Sequence, residues 1–357
     1  MSSPPMVGQV PVRPTGLGTS AARPGRPGTN RPFWPPRFAI PFVRRVNPEV
    51  DRMRAHGLAW ARSRDLVTTT EASERLDAAR FDRLTAYAYP DARGAGADLP
   101  TDWMYWFFLF DDWFDGPLGR DPVAVRRLIG LMTDHVHGDP DAVTDDSTPL
   151  VRAFAELYDR AASAMSPASR ARFATDVAQY LFTNYIEAFH RVRGGPDDVD
   201  TVTHMRRYSI GVLPSLGFGE PALGFEVDAE LIGGEPLVRM RIITSDVIAC
   251  VNEAFSLGKD LAVGETTSAA VTMMRLRGWT PEQMIHFLED TVAELIDEYL
   301  ALEAEARTQA QRFGLPEESA DVERYLQMMR DWMIANLTWS EETPRYGDHV
   351  PSSWKSA

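Results

Sequence analysis

Cys250 is the only cysteine in 357 residues. That excludes an intramolecular disulfide and any cysteine-rich zinc site. Positive charge is in deficit as well: 37 Lys and Arg stand against 51 Asp and Glu, a formal charge of −14. The broad basic footprint of a nucleic-acid binder is therefore missing, and no nucleic acid is expected as a partner. An acidic chain can still hold an anion through local arginines, or through a metal ion that bridges carboxylates to it. No apolar run is long enough to span a bilayer, and no signal-peptide pattern is present. The expectation is a cytoplasmic protein without stable membrane insertion. Strand-like alternation is nearly absent, with residues 217–227 the one ambiguous stretch. No repeat period points to a solenoid.

What is present suffices for a sizeable core: 44% of residues are apolar and 10% aromatic. Residues 1–36 differ from the rest, with nine prolines, five glycines, four arginines and no acid. Such a stretch reads as a disordered tail, and its proline density argues against the amphipathic helix of a transit peptide. A helical text begins near Asn47-Pro48, where a capping residue precedes proline and then acid in the first turn. Further helical runs cover residues 73–87, 101–115, 121–137, 149–165, 168–193, 199–213, 235–259, 281–312 and 319–339. Turn chemistry separates several of them, as at Gly138-Asp139-Pro140-Asp141 and Gly194-Gly195-Pro196-Asp197. About ten helices without a repeat predict one all-α domain over 37–347, followed by a short tail over 348–357.

Three constellations carry chemistry. In Trp103-Met104-Tyr105-Trp106-Phe107-Phe108-Leu109-Phe110-Asp111-Asp112-Trp113-Phe114-Asp115, an aromatic helix runs into three carboxylates. Asp111 and Asp115 are one turn apart and share a face. Clustered carboxylates repel one another, and the C-terminal end of a helix disfavours negative charge. Divalent cations reverse that penalty, and all-oxygen ligands suit magnesium or manganese. A solvated acidic helix end is the plainer alternative.

The second constellation follows the apolar run 242–251. Asn252, Ser256 and Asp260 are spaced four and four, drifting about 40° per step, so three oxygen side chains line one stripe. Lys259 stands beside them, able to reach an anion. The alternative is a helix fraying into a Gly-Lys-Asp turn. Third, Met205-Arg206-Arg207-Tyr208-Ser209-Ile210-Gly211 places an arginine four residues before a mid-helix glycine, which invites a local break. Near the C-terminus, Arg345-Tyr346 offers a second arginine followed by a phenol, and both groups can hold phosphate oxygens. Taken singly, each arginine is more often a surface or interhelical one.

In their order, these elements resemble the class I terpene synthases, specifically the bacterial sesquiterpene cyclases, from about residue 38 to Tyr346. Pro41-Phe42, Arg45-Val46-Asn47-Pro48 and Tyr89-Pro90-Asp91-Ala92 look like the opening of such enzymes. Phe107-Phe108-Leu109-Phe110-Asp111-Asp112 is similar to the pentalenene synthase-like branch. The resemblance implies a single helical bundle around a central active-site cavity and three Mg²⁺ ions, with Mn²⁺ as a substitute. Asp111, Asp112 and Asp115 would form the metal site of the first motif, Asp111 as the bridging ligand, although in that family the residue matched by Asp112 often only hydrogen-bonds the arginine matched by Arg345. Asn252, Ser256 and Asp260 would hold the third metal. It further implies Arg207 as the diphosphate-sensing arginine and Gly211 as the helix-break glycine. Lys259, Arg345 and Tyr346 would bind diphosphate, while Phe107, Phe108 and Trp339 would line the cation pocket. Trp103 reads instead as core.

Two departures stand out: Asp260 replaces the usual glutamate, and Ile210 occupies a position where some relatives carry aspartate. The implied activity is ionisation of a linear prenyl diphosphate, farnesyl diphosphate foremost, and cyclisation to a terpene hydrocarbon or alcohol. A diterpene cyclase acting on geranylgeranyl diphosphate stays open. So do a chain-elongating prenyltransferase, which normally carries a second aspartate-rich motif where Asn252 stands, and a non-catalytic helical binding protein. A homodimer is compatible with the family, although the sequence carries no interface signal.

Overall fold

The computed structural model of the chain describes residues 35–114 and 116–349. The expected tails thus fall almost wholly outside the described residues, as does Asp115. Among the described residues there are fourteen α-helices, two 3-10 turns and no strand. They are α1 (Val50–Ser63), α2 (Thr70–Ala78), α3 (Phe81–Ala88), α4 (Ala95–Phe114), α5 (Pro122–Val136), α6 (Pro149–Ala162) and α7 (Pro167–Arg191). After these come α8 (Val199–Ser209), α9 (Val212–Leu223), α10 (Ala229–Ile232), α11 (Glu235–Val263), α12 (Ala269–Arg277), α13 (Pro281–Phe313) and α14 (Pro316–Glu342). The 3-10 turns are Leu118–Arg120 and Pro344–His349.

Local chemistry sets many of the boundaries. Asp121 caps α5 by accepting from the amides of Val123 and Ala124, with Pro122 at the first helical position. Thr280 and Gln283 form a reciprocal capping box at the start of α13. The run expected over 73–87 is two helices, because Arg80 adopts a left-handed φ of 56° and turns the chain between α2 and α3. Residues 217–227, ambiguous in sequence, lie mostly within α9, and α12 was not anticipated.

Two helices form the centre. α4 buries Trp103, Tyr105, Trp106 and Phe110, and it packs against α1, α6 and α9. α11 is buried through most of its second half and packs against α8, α9, α13 and α14. Trp103 is core as expected: it stacks on Phe218, with centroids 5.4 Å apart, and does not face the cavity described below.

The two N-terminal pieces singled out in the sequence are held together. Arg45 pairs with Asp91 at 2.7 Å and forks onto Asp331 of α14. Asn47 donates its Nδ2 to the carbonyls of Tyr89 (2.9 Å) and Ala92 (2.7 Å), while its Oδ1 accepts from the Glu49 amide just before α1 (2.9 Å). This strap fixes α14 relative to the turn after α3. The indole of Trp339 adds to it by donating to the carbonyls of Ala79 and Arg80, 3.1 Å from each.

Candidate active site

A cavity of about 1280 Å³, counting its open mouth, is enclosed by α3, α4, α7, α8, α9, α11, α14 and the C-terminal 3-10 turn. One end is charged. There Asp111 comes from α4, Glu187 and Arg191 from α7, and Arg206 from α8, facing Lys259 and Asp260 of α11. Deeper along the same helices the wall is apolar and aromatic, with Leu84, Met104, Phe107, Ile248 and Trp332, and Trp339 stands between them and the mouth, 5.9 Å from Tyr346.

The α11 stripe forms as its spacing predicts. The Ser256 hydroxyl donates to Asp260 Oδ2 at 2.8 Å. Asn252 donates from Nδ2 to the Tyr346 hydroxyl at 3.0 Å, and its Oδ1 accepts from Arg206 Nη2 at 2.6 Å. Burial, reinforced by the charge of Glu253, pushes the Asp260 carboxyl up to about 6, even though Ser256 and Lys259 oppose the shift. A carboxylate so placed gains from a neighbouring cation. At the mouth, Arg345 Nη2 lies 3.2 Å from Asp112 and 3.4 Å from Asp111. Asp112 thus pairs with Arg345, as the resemblance implied, and it is Asp111 that lines the cavity. Burial works against the Arg345 charge, but Asp111 and Asp112 outweigh it and hold its pKa up.

The two arginines of α8 part company. Arg207 does not face the cavity. It is buried and forks onto Asp246 of α11, Nε to Oδ1 at 2.8 Å and Nη2 to Oδ2 at 2.7 Å. Arg206 is the one that lines the cavity, donating from Nε to Glu253 Oε1 at 2.6 Å as well as to Asn252. The expectation for Arg207 came from the family resemblance, with its four-residue spacing to a glycine expected to break the helix. The helix is not continuous: α8 ends at Ser209, and Gly211 takes a φ of +77° before α9 begins. Neighbouring helical residues point about 100° apart, so only one of the pair can face the cavity. Burial opposes the Arg206 charge, and Glu253, Glu187 and Asp111 more than restore it.

Gly211 lines the cavity at this break. A Cβ there would meet Phe107 and Tyr180 at 3.6 Å, ordinary contact, so its requirement for glycine is conformational. Gly211→Ala is expected to destabilise the protein by about 1–2 kcal/mol through left-handed strain alone. A urea titration with an unchanged slope and a lowered midpoint would register it.

On the apolar wall, Phe107 meets Tyr180 edge to face at 5.0 Å. Phe108 is stacked on Phe81 at 3.8 Å and tilted against Trp339 at 5.3 Å, with the Arg345 guanidinium 5.1 Å from its centre. Tyr180, Glu187 and Arg191 were not singled out in the sequence, since nothing in the long run 168–193 marks one face as functional. Arg191 reaches the carbonyls of Phe114 (3.2 Å) and Gly119 (3.4 Å) on one side. On the other it meets Thr267 Oγ1 at 3.3 Å and Glu265 at 3.4 Å. It thereby ties the segment after α4 to the loop after α11, the two places where the oxygen-rich motifs end.

The family model described as terpene synthase family 2, C-terminal metal binding, matches residues 102–298. That span includes the acidic end of α4 and the α11 stripe. The chain belongs to that family. Pristinol synthase of Streptomyces pristinaespiralis is 37% identical, over 87% of this chain and 84% of its own length. Pentalenene synthase of Streptomyces avermitilis is 35% identical, over 87% and 92% respectively. Among solved structures, the linalool/nerolidol synthase of Streptomyces clavuligerus superposes with a TM-score of 0.76 at 29% identity, covering 85% of this chain and all of that one. Wild-type cucumene synthase also gives 0.76, at 27% identity, over 86% of this chain and all of its own.

The protein is thus a class I terpene synthase with the all-α fold of its relatives, an enzyme whose family domain binds metal. Its residues fit such a group. Among the described residues no three His, Cys, Asp or Glu side chains converge to hold an ion by themselves. However, Asp115 is not among them, and the α11 stripe offers an amide and a hydroxyl beside its one carboxylate. All of these donors are oxygens, the set hard divalent cations take. No helix among the described residues is long and apolar enough to cross a membrane.

Proposed function

We propose that the synthase ionises farnesyl diphosphate in the presence of three Mg²⁺ ions, or Mn²⁺ in their place, and cyclises the resulting carbocation. The observation that carries this reading is the division of one cavity into a charged mouth and an aromatic interior. A prenyl diphosphate has the same division, an anionic head on a hydrocarbon chain. One relative, from Saccharothrix espanaensis and 28% identical, is named as a β-caryophyllene synthase that cyclises farnesyl diphosphate.

Asn252, Ser256 and Asp260 would hold one ion; Asp111, with Asp115 beyond the described residues, would hold the others. When bound, these ions neutralise the charge that grows on the departing diphosphate. Arg206, Lys259, Arg345 and the Tyr346 hydroxyl would donate to its oxygens, fixed in place before reaction rather than recruited during it. Arg206 and Asn252 satisfy each other meanwhile, so neither is left bare. Phe107, Phe108 and Trp339, joined by Tyr180, would face the cation. Ring faces are negative and stabilise a cation by about 2 kcal/mol or more when water is excluded, without capturing it. The released diphosphate would be the base that takes the final proton, and among the described residues no histidine lines the cavity.

Incubation with farnesyl diphosphate tests the reading directly. Diphosphate release is expected with Mg²⁺ and should fall at least about a hundredfold with EDTA. Release that is indifferent to EDTA would overturn the metal assignment.

A further inference from the structure

The wall of α14 carries a polar group that ionisation does not use. Trp332, Asn336 and Trp339 lie on one helical face and all line the cavity. Asn336 is only 4% exposed, and its Oδ1 is buried without a hydrogen-bond partner. Most other polar groups of the wall are engaged. Ser215 donates to the Gly211 carbonyl at 2.7 Å, Asn252 is paired at both ends, and Ser256 is paired with Asp260. The Ser209 hydroxyl and the Trp332 indole nitrogen also lack a partner; the first lies beside Glu187, at the charged end, and the second is a donor one turn away on the same face of α14.

A buried carbonyl oxygen without a donor is destabilising, and native structures rarely leave one so. Under the function proposed above, the substrate supplies no donor there. Its chain is hydrocarbon, and its diphosphate would be held by Lys259, Arg345 and Tyr346, beyond Trp339. Water is the remaining donor small enough to share a filled pocket. A carboxamide suits this task because its carbonyl oxygen can accept a water hydrogen at Oδ1.

We propose that Asn336 is a specificity-determining residue that holds the water which captures the final carbocation, making the product a terpene alcohol. The water oxygen supplies the electron pair of the new C–O bond. The oxonium so formed loses one proton, which passes to the diphosphate released at ionisation. No redox change occurs, and water is the sole co-reactant. Without a held water the same cation loses a proton from carbon and leaves as a hydrocarbon.

The test is turnover of farnesyl diphosphate with Mg²⁺ in ¹⁸O-labelled water, with products read by gas chromatography and mass spectrometry and diphosphate release counted in parallel. The wild type should give an alcohol carrying the label. In Asn336→Leu the alcohol-to-hydrocarbon ratio should fall at least about tenfold, and Asn336→Gln should recover part of it. A labelled alcohol at an unchanged ratio in the leucine variant would overturn the assignment. So would a wild type that releases diphosphate yet makes only hydrocarbon, a result that needs no variant to fold. Absence of diphosphate release from the wild type would instead bring down the underlying function, and this inference with it.

Discussion

Asn252→Leu is expected to lower turnover by about a thousandfold while leaving the helical circular dichroism signal unchanged. Leucine has the same branched, four-heavy-atom side chain as asparagine, and the side chain stands on the cavity wall rather than inside the packed centre of α11. The fold therefore loses little. Arg206 keeps its bond to Glu253, and the Tyr346 hydroxyl can turn to solvent in the cavity. The oxygen that leucine lacks, however, is one of three on a stripe whose other members are already hydrogen-bonded to each other. Asp111→Ala should behave alike for a plainer reason, since 61% of the Asp111 side chain is exposed and little packing depends on it. Activity within tenfold of wild type in Asn252→Leu would remove the metal role from the stripe.

Arg206→Ala and Arg207→Ala should fail in opposite ways. The first removes a cation that faces the cavity, and turnover should fall by about 100- to 1000-fold with a smaller drop in the unfolding midpoint than in the second. Its partner Glu253 is not orphaned, because Ser268 Oγ and the Ala270 amide still donate to it at 2.8 Å each. The second strands Asp246, which is 1% exposed and depends on the Arg207 fork. Breaking a buried pair by removing one partner costs about 3–5 kcal/mol, so the Arg207 variant should unfold far earlier in urea. Its folded fraction should keep turnover within about tenfold of wild type. A reversed result, stability lost in the first and catalysis in the second, would restore the role that the family resemblance implied for Arg207.

That pair shows where reading the sequence succeeds and where it stops. Spacing along one unbroken helix transfers reliably into space: Asn252, Ser256 and Asp260 share a stripe because α11 runs straight through them. Spacing across a break does not transfer, and Gly211 is a break. The glycine itself was legible as a candidate interruption, but the direction in which the following helix leaves was not.

The other misses have similar causes. α9 shows no amphipathic period because it is buried on almost every side. Its glycines look like turn signals, yet they serve close packing: a Cβ on Gly217 would meet Phe173 at 2.8 Å, and one on Gly219 would meet Met328 at 2.5 Å. Arg191 and Tyr180 sit on a long helix among many polar residues, and only the arrival of other helices marks their face as special. Asn336 is the extreme case. Nothing in its neighbourhood of sequence distinguishes it, and its significance rests on a missing partner in three dimensions.

The most direct test of the central claim offers the purified synthase geranyl, farnesyl and geranylgeranyl diphosphate side by side, each with Mg²⁺ and with EDTA, and analyses extracts by gas chromatography with mass detection. A cyclic, Mg²⁺-dependent product from farnesyl diphosphate is the predicted result. Turnover confined to another chain length, or longer diphosphates formed only on adding isopentenyl diphosphate, would contradict it.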